Sequence, residues 1–129
     1  MKKLLIISLL ILSVVACKKT KYEPEGPTDV RVKNLSALPF TEVKVNISDT
    51  IKIIGNITSG GFSPYIRFPK AFVKAEISAK VNGLLLSTGV VDYTGLNYIG
   101  QSKITYEVKI SSDNLKLELQ NCSLDAPLK

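Results

Sequence analysis

Apolar and polar residues alternate with a period of two over most of this chain, the spacing of strands with one face buried and the other in water. The pattern begins at Asp29, where Val30 and Val32 alternate with Arg31 and Lys33. Val43, Val45 and Ile47 then alternate with Lys44 and Asn46, and after a Ser48-Asp49 turn the apolar run Ile51 to Ile54 resumes a strand that Gly55 weakens or bulges. The longest alternation is Val73, Ala75, Ile77, Ala79 and Val81, with Lys74, Glu76, Ser78 and Lys80 between them. Ala, Lys and Glu favour helix, but the apolar positions recur every second residue, so the segment reads as a strand. It leads into Asn82-Gly83, which suits a two-residue type I′ hairpin because both central positions need positive φ. A return strand, Leu84 to Val91, follows. Ile104, Tyr106, Val108 and Ile110 form the next alternation, and Leu115, Leu117 and Leu119 the last, after a Ser112-Asp113-Asn114 turn.

About seven short strands separated by turn residues predict an all-β domain over residues 29–129, an antiparallel β-sandwich of immunoglobulin-like or related type, with an open barrel as the second architecture. Two N-terminal segments stand apart. Met1-Lys2-Lys3 followed by the apolar series Leu4 to Val15 is the charged region and short hydrophobic core of an export signal, residues 1–16. Spanning a bilayer takes roughly 20 apolar residues, and Lys18 and Lys19 halt this series too early. Residues 17–28 are polar, carry Pro24 and Pro27, and read as a flexible tether; extended, the stretch reaches up to about 35 Å.

Val14-Val15-Ala16-Cys17 resembles the lipobox of bacterial lipoproteins. The resemblance implies a diacylglycerol joined by thioether to Cys17, cleavage before it, and acylation of the new amine. Two or more acyl chains hold a protein stably on a membrane where one does not, so Cys17 is the expected lipidation site and the membrane the expected partner. Cleavage removes Lys2 and Lys3 and no acid, lowering the net charge from +6 to +4, a mild excess spread along the strands. Export and the lack of a basic helix argue against a nucleic-acid partner. With Cys17 lipidated, Cys122 has no disulfide partner and reads as a half-buried packing residue.

A wider resemblance rests on Val30-Arg31-Val32-Lys33-Asn34, Val43-Lys44-Val45-Asn46, a Gly-rich turn with an aromatic segment around Tyr65, the Ala71 to Gly83 strand and hairpin, Val91-Asp92-Tyr93-Thr94-Gly95, and Gly100 followed by Ile104-Thr105-Tyr106-Glu107-Val108. In these the chain is similar to small lipoproteins of the Bacteroidota with a β-sandwich domain. It departs from them at Phe72-Val73-Lys74, where the group has more aromatics. The resemblance implies fold and address rather than chemistry. Surface-exported lipoproteins of that group carry acids after the lipid cysteine, whereas this chain has Lys18, Lys19 and Lys21, which favours the periplasmic face of the outer membrane. Asp49-Thr50-Ile51 resembles the acceptor of the group's O-glycosylation system, making Thr50 a candidate.

The chain has no histidine, which removes Ser-His-Asp and Cys-His nucleophile systems and most zinc sites. No Ser-x-x-Lys replaces them, and the acids are scattered, so neither an enzyme, a metal site nor a cofactor is expected. Four Asn-x-Ser/Thr triplets, at Asn34, Asn46, Asn56 and Asn121, carry no weight in a bacterial protein. The segment Asp92 to Ser102 is the longest without alternation after the tether, and long loops in compact domains are often functional. Asp92, Tyr93, Asn97 and Tyr98 are its candidate binding residues for a glycan, peptide or protein; the competing account has Leu96 and Ile99 plugging the sandwich end and the tyrosines covering it. Two function classes follow: a membrane-anchored envelope binding module, or a structural or accessory subunit of an envelope membrane complex.

Overall fold

The computed structural model describes residues 23–128. The signal segment and Cys17 lie outside these residues. Eight strands follow in order: β1 (Thr28–Asn34), β2 (Phe40–Ile47), β3 (Thr50–Ile57), β4 (Ile66–Phe68), β5 (Glu76–Val81), β6 (Leu84–Ser87), β7 (Ser102–Ile110) and β8 (Leu117–Pro127). They make two four-stranded sheets, ordered β4-β1-β7-β8 and β3-β2-β5-β6. The fold is an all-β sandwich, and the alternating side chains explain why. Val30 and Val32 of β1, Val43, Val45 and Ile47 of β2, Ile77 and Ala79 of β5, and Ile104, Tyr106 and Val108 of β7 all turn into one shared core. Burying side chains of this size stabilises by roughly 1.5–3 kcal/mol each before the entropy of ordering is subtracted.

The Asn82-Gly83 turn forms as expected, with φ of 50° and 80° at its two central residues and Val81 paired to Leu84. Gly55 sits where the β2–β3 register slips between Val43↔Gly55 and Lys44↔Ile53, with φ of 100°, so a bulge forms there.

Elsewhere the strands differ from the sequence pattern. Among the described residues there are eight rather than about seven, because β4 has only three residues and offers no alternation to read. The sheets are not purely antiparallel, since β1 and β7 pair in parallel, Asp29↔Lys103 through Asn34↔Val108. β5 starts at Glu76, not Val73. Val73 is 53% exposed, whereas the preceding Phe72 is buried, and the Phe72 carbonyl takes its hydrogen bond from the Tyr106 hydroxyl rather than from a neighbouring strand. The return strand ends at Ser87, four residues early: the Thr88 N–H still donates to the Ile77 carbonyl at 2.9 Å, but its Oγ1 accepts from the Ile77 N–H at 2.9 Å and donates to the Ala75 carbonyl at 3.2 Å in place of the next main-chain pairing. Leu115 lies in the turn before β8 and is 72% exposed; the Asp113 carboxylate holds that turn by accepting from the Leu115 N–H at 3.0 Å.

The second half of the expected tether is part of the domain. Glu23 O accepts from Gln101 Nε2 at 2.9 Å, and Thr28 opens β1 with its hydroxyl donating to the Gly100 carbonyl at 2.6 Å. Between them Gly26 passes under Pro69 so closely that a Cβ would meet the Pro69 carbonyl oxygen at 2.0 Å. Only glycine permits that approach, which is how a segment without apolar periodicity becomes fixed.

Candidate functional site

The loop from Asp92 to Ser102 divides into a covering half and an outward half. Tyr93, Leu96 and Ile99 pack against the core. The Tyr93 ring lies 4.9 Å from the Phe72 ring between centroids, and its hydroxyl donates to the Asn46 carbonyl at 3.1 Å. Burial raises the Tyr93 pKa above the usual phenol value. Asp92 turns its carboxylate back onto its own loop, accepting from the Thr94 N–H at 3.0 Å, and that bond holds its pKa below the ordinary value. Asp92 and Tyr93 therefore shape the loop. Asn97 and Tyr98 face outward beside Glu23, Pro24 and Glu25; the Tyr98 ring, 49% exposed, rests one face on Phe72 at 5.3 Å between centroids.

Thr50 opens β3 immediately after the Ser48-Asp49 turn, pairs with Ile47, and is partly exposed. Cys122 is a free, half-buried thiol opposite Tyr106 in the β7–β8 register, and burial, then the nearby Asp125 charge, pushes its pKa up to about 11. Such a thiol is a poor nucleophile. Cys122 also lines a groove of about 880 Å³ between β8 and the segments around Val73 and Val90.

A second cluster lies on the outer face of the β4-β1-β7-β8 sheet. Arg31 projects from β1 between two rings of the β3–β4 connection, its guanidinium carbon 4.0 Å from the centroid of Phe62 and 4.8 Å from that of Tyr65. The parallel register sets Arg31 beside Thr105, and Arg31 Nε donates to Thr105 Oγ1 at 2.8 Å. Thr105 in turn donates to Asp125, which also accepts from the Tyr65 hydroxyl at 2.8 Å and stands 3.8 Å from Arg31 Nε. Asp125 arrives there through a bulge: Ile104 pairs with Leu124 and Lys103 with Ala126, leaving Asp125 as the extra residue. Bulges commonly redirect a side chain in this way. Burial and the donation to Asp125 raise the Tyr65 pKa, so its phenol stays protonated.

Lys33 and Lys103 flank the stack, with Nζ atoms 5.1 Å from the Phe62 centroid and 5.2 Å from the Tyr65 centroid. A cation over an aromatic face contributes about 0.5–1 kcal/mol when exposed and more when dry. Reading along the chain misses this cluster, because its members come from four separate stretches. The available signal is Arg31 on a strand and the Phe62 and Tyr65 rings in a turn region too rich in Gly and Pro to be core.

The chain is thus a β-sandwich that carries a cation–aromatic cluster on one sheet face. No family model matches it, and no curated protein matches it significantly. Among solved structures it is similar to the NMR structure of a protein from Eubacterium rectale, at 12% identity and a TM-score of 0.49, covering 85% of this chain and 97% of that one.

Proposed function

We propose that this chain is a lipoprotein of the cell envelope, anchored through Cys17 at the periplasmic face of the outer membrane, and that its sandwich is a binding module for a glycan, peptide or protein partner. The observation that carries the reading is the Phe62–Arg31–Tyr65 stack: an exposed ring, a guanidinium and a second ring, held together with the Thr105–Asp125 hydrogen bonds on the outer sheet face. Aromatic and arginine side chains are the residues that most often anchor binding surfaces. The lipobox at Val14 to Cys17 supports the anchor.

The test is capture of the native lipoprotein from detergent-solubilised membranes, alongside the Phe62→Ala and Arg31→Ala proteins. The module reading expects bound material with the parent that both variants lose while keeping their melting temperatures. Identical material from parent and variants would overturn it. The groove beside β8, with Val73 and Val90 exposed and the outer edge of β8 unpaired in its sheet, favours a second reading, an accessory subunit docked on a larger envelope complex. A large complex that survives Phe62→Ala and dissolves on Val90→Lys would select it.

A further inference from the structure

We infer that the Phe62–Arg31–Tyr65 cluster is the seat for an acidic saccharide, with the sugar's anionic group on the guanidinium and its ring against the aromatic side chains; this rests on the binding-module reading and names its ligand. The first argument is the direction of free donors. Arg31 commits only Nε within the protein, to Thr105 at 2.8 Å, and among the described residues neither of its two Nη groups makes a hydrogen bond. Contacts with both rings and the Nε bond restrain the guanidinium, which leaves the four N–H donors of its two Nη groups for a ligand. A planar, pre-oriented fork matches a carboxylate, sulfate or phosphate in two-point contact, and little further side-chain entropy is lost on binding.

The second argument is charge. Arg31, Lys33 and Lys103 bring three cations to this face. Facing them are Asp125, 3.8 Å from Arg31 Nε and already accepting from Thr105 and Tyr65, and Glu107, beside Lys33 in the β1–β7 register. Asp29 is held by Arg67 at 2.8 Å. The three cations against Asp125 and Glu107 leave the cluster a net positive charge of one.

The third argument is shape. The stack stands on the outer face of the sheet, and Phe62 is 49% exposed. An exposed ring there suits the C–H face of a pyranose, and the hydroxyl of Ser123, in register with Thr105, adds a polar group on that side.

The experiment measures binding of the full lipidated chain in detergent micelles to oligogalacturonate, to the same oligosaccharide with its carboxylates methyl-esterified, to a sulfated oligosaccharide, and to polyglutamate of equal charge. The expected result is that one or both acidic sugars bind, at least tenfold tighter than the neutral ester and than polyglutamate. Arg31→Gln should lose at least tenfold, as should Phe62→Ala. The pair Lys33→Gln and Lys103→Gln, which leaves the stack in place, should lose several-fold and weaken the salt dependence. Equal binding of the neutral ester would overturn the anionic seat while leaving a sugar-binding module. Equal binding of polyglutamate would make the ligand an acidic peptide. If none of the probes binds although Arg31→Ala still strips material from the captured lipoprotein, the saccharide inference falls and the module stands; if Arg31→Ala strips nothing either, both fall.

Discussion

The hydroxyl of Tyr106 donates to the main-chain carbonyl of Phe72 in the fully buried centre of the sandwich. That bond joins a strand of one sheet to the irregular stretch leading into the other. The Phe72 ring then carries both Tyr93 and Tyr98, so this buried phenol helps to position the end loop.

Replacing Tyr106 by Phe should cost about 1–3 kcal/mol, because the Phe72 carbonyl is left buried without a donor. Urea denaturation measures the loss. Hydrogen exchange should rise at the amide of Ile99, which bonds the Ala71 carbonyl next to the lost contact.

Stability should fall as pH rises through the range from about 9 to about 11. Burial, then the Asp125 charge, raises the Cys122 pKa to about 11 from 9.0, so in that window the unfolded chain has released a proton that the folded chain retains. Burial raises Tyr106 as well and extends the decline upward. Thermal melts of the parent and of Cys122→Ser across this range check the sign: the serine protein should decline less steeply, and at pH 7 it should lose no more than about 1–2 kcal/mol.

Gly83→Val should destabilise by about 1 kcal/mol or more. The cost is backbone strain alone, since φ is 80° and no atom lies within 4 Å of the position a Cβ would take. An unchanged melting temperature would count against the turn.

Tyr93→Ala and Tyr98→Ala should separate. Tyr93 loses a packed ring and a hydrogen bond to Asn46, at about 2 kcal/mol or more, whereas the half-exposed Tyr98 should lose under about 1 kcal/mol. Equal losses in chemical denaturation would contradict the division of the loop.

What the sequence makes legible is whatever depends on neighbours two residues apart. Val30 and Val32, or Ile104, Tyr106 and Val108, declare a buried face by themselves, and Asn82-Gly83 declares its turn. The role of Phe72 is invisible at that range, because its carbonyl partner is 34 residues away. The Arg31 cluster is hidden for the same reason: it exists only once β1 lies parallel to β7 and a bulge brings in Asp125, 20 residues beyond Thr105. The long loop from Asp92 to Ser102 stands out because it does not alternate, yet half of it fails to alternate because it closes the end of the core.

Replacing Cys17 by Ser should move the protein from the membrane pellet to the soluble envelope fraction with its melting temperature unchanged. Retention in the pellet would remove the anchor.

The fixed course of Glu23 to Thr28 limits how a molecule anchored at Cys17 would stand. With lipid on Cys17, only six peptide steps separate the membrane surface from the first docked residue, at most about 20 Å. An anchor at Cys17 would therefore hold the domain close to the bilayer, with the end carrying Glu23, Asn97 and Tyr98 nearest to it. Arg31 rides on the flank, three residues or about 10 Å further along β1. A long polymer lying along the envelope would meet that flank side-on, without having to thread beneath the protein.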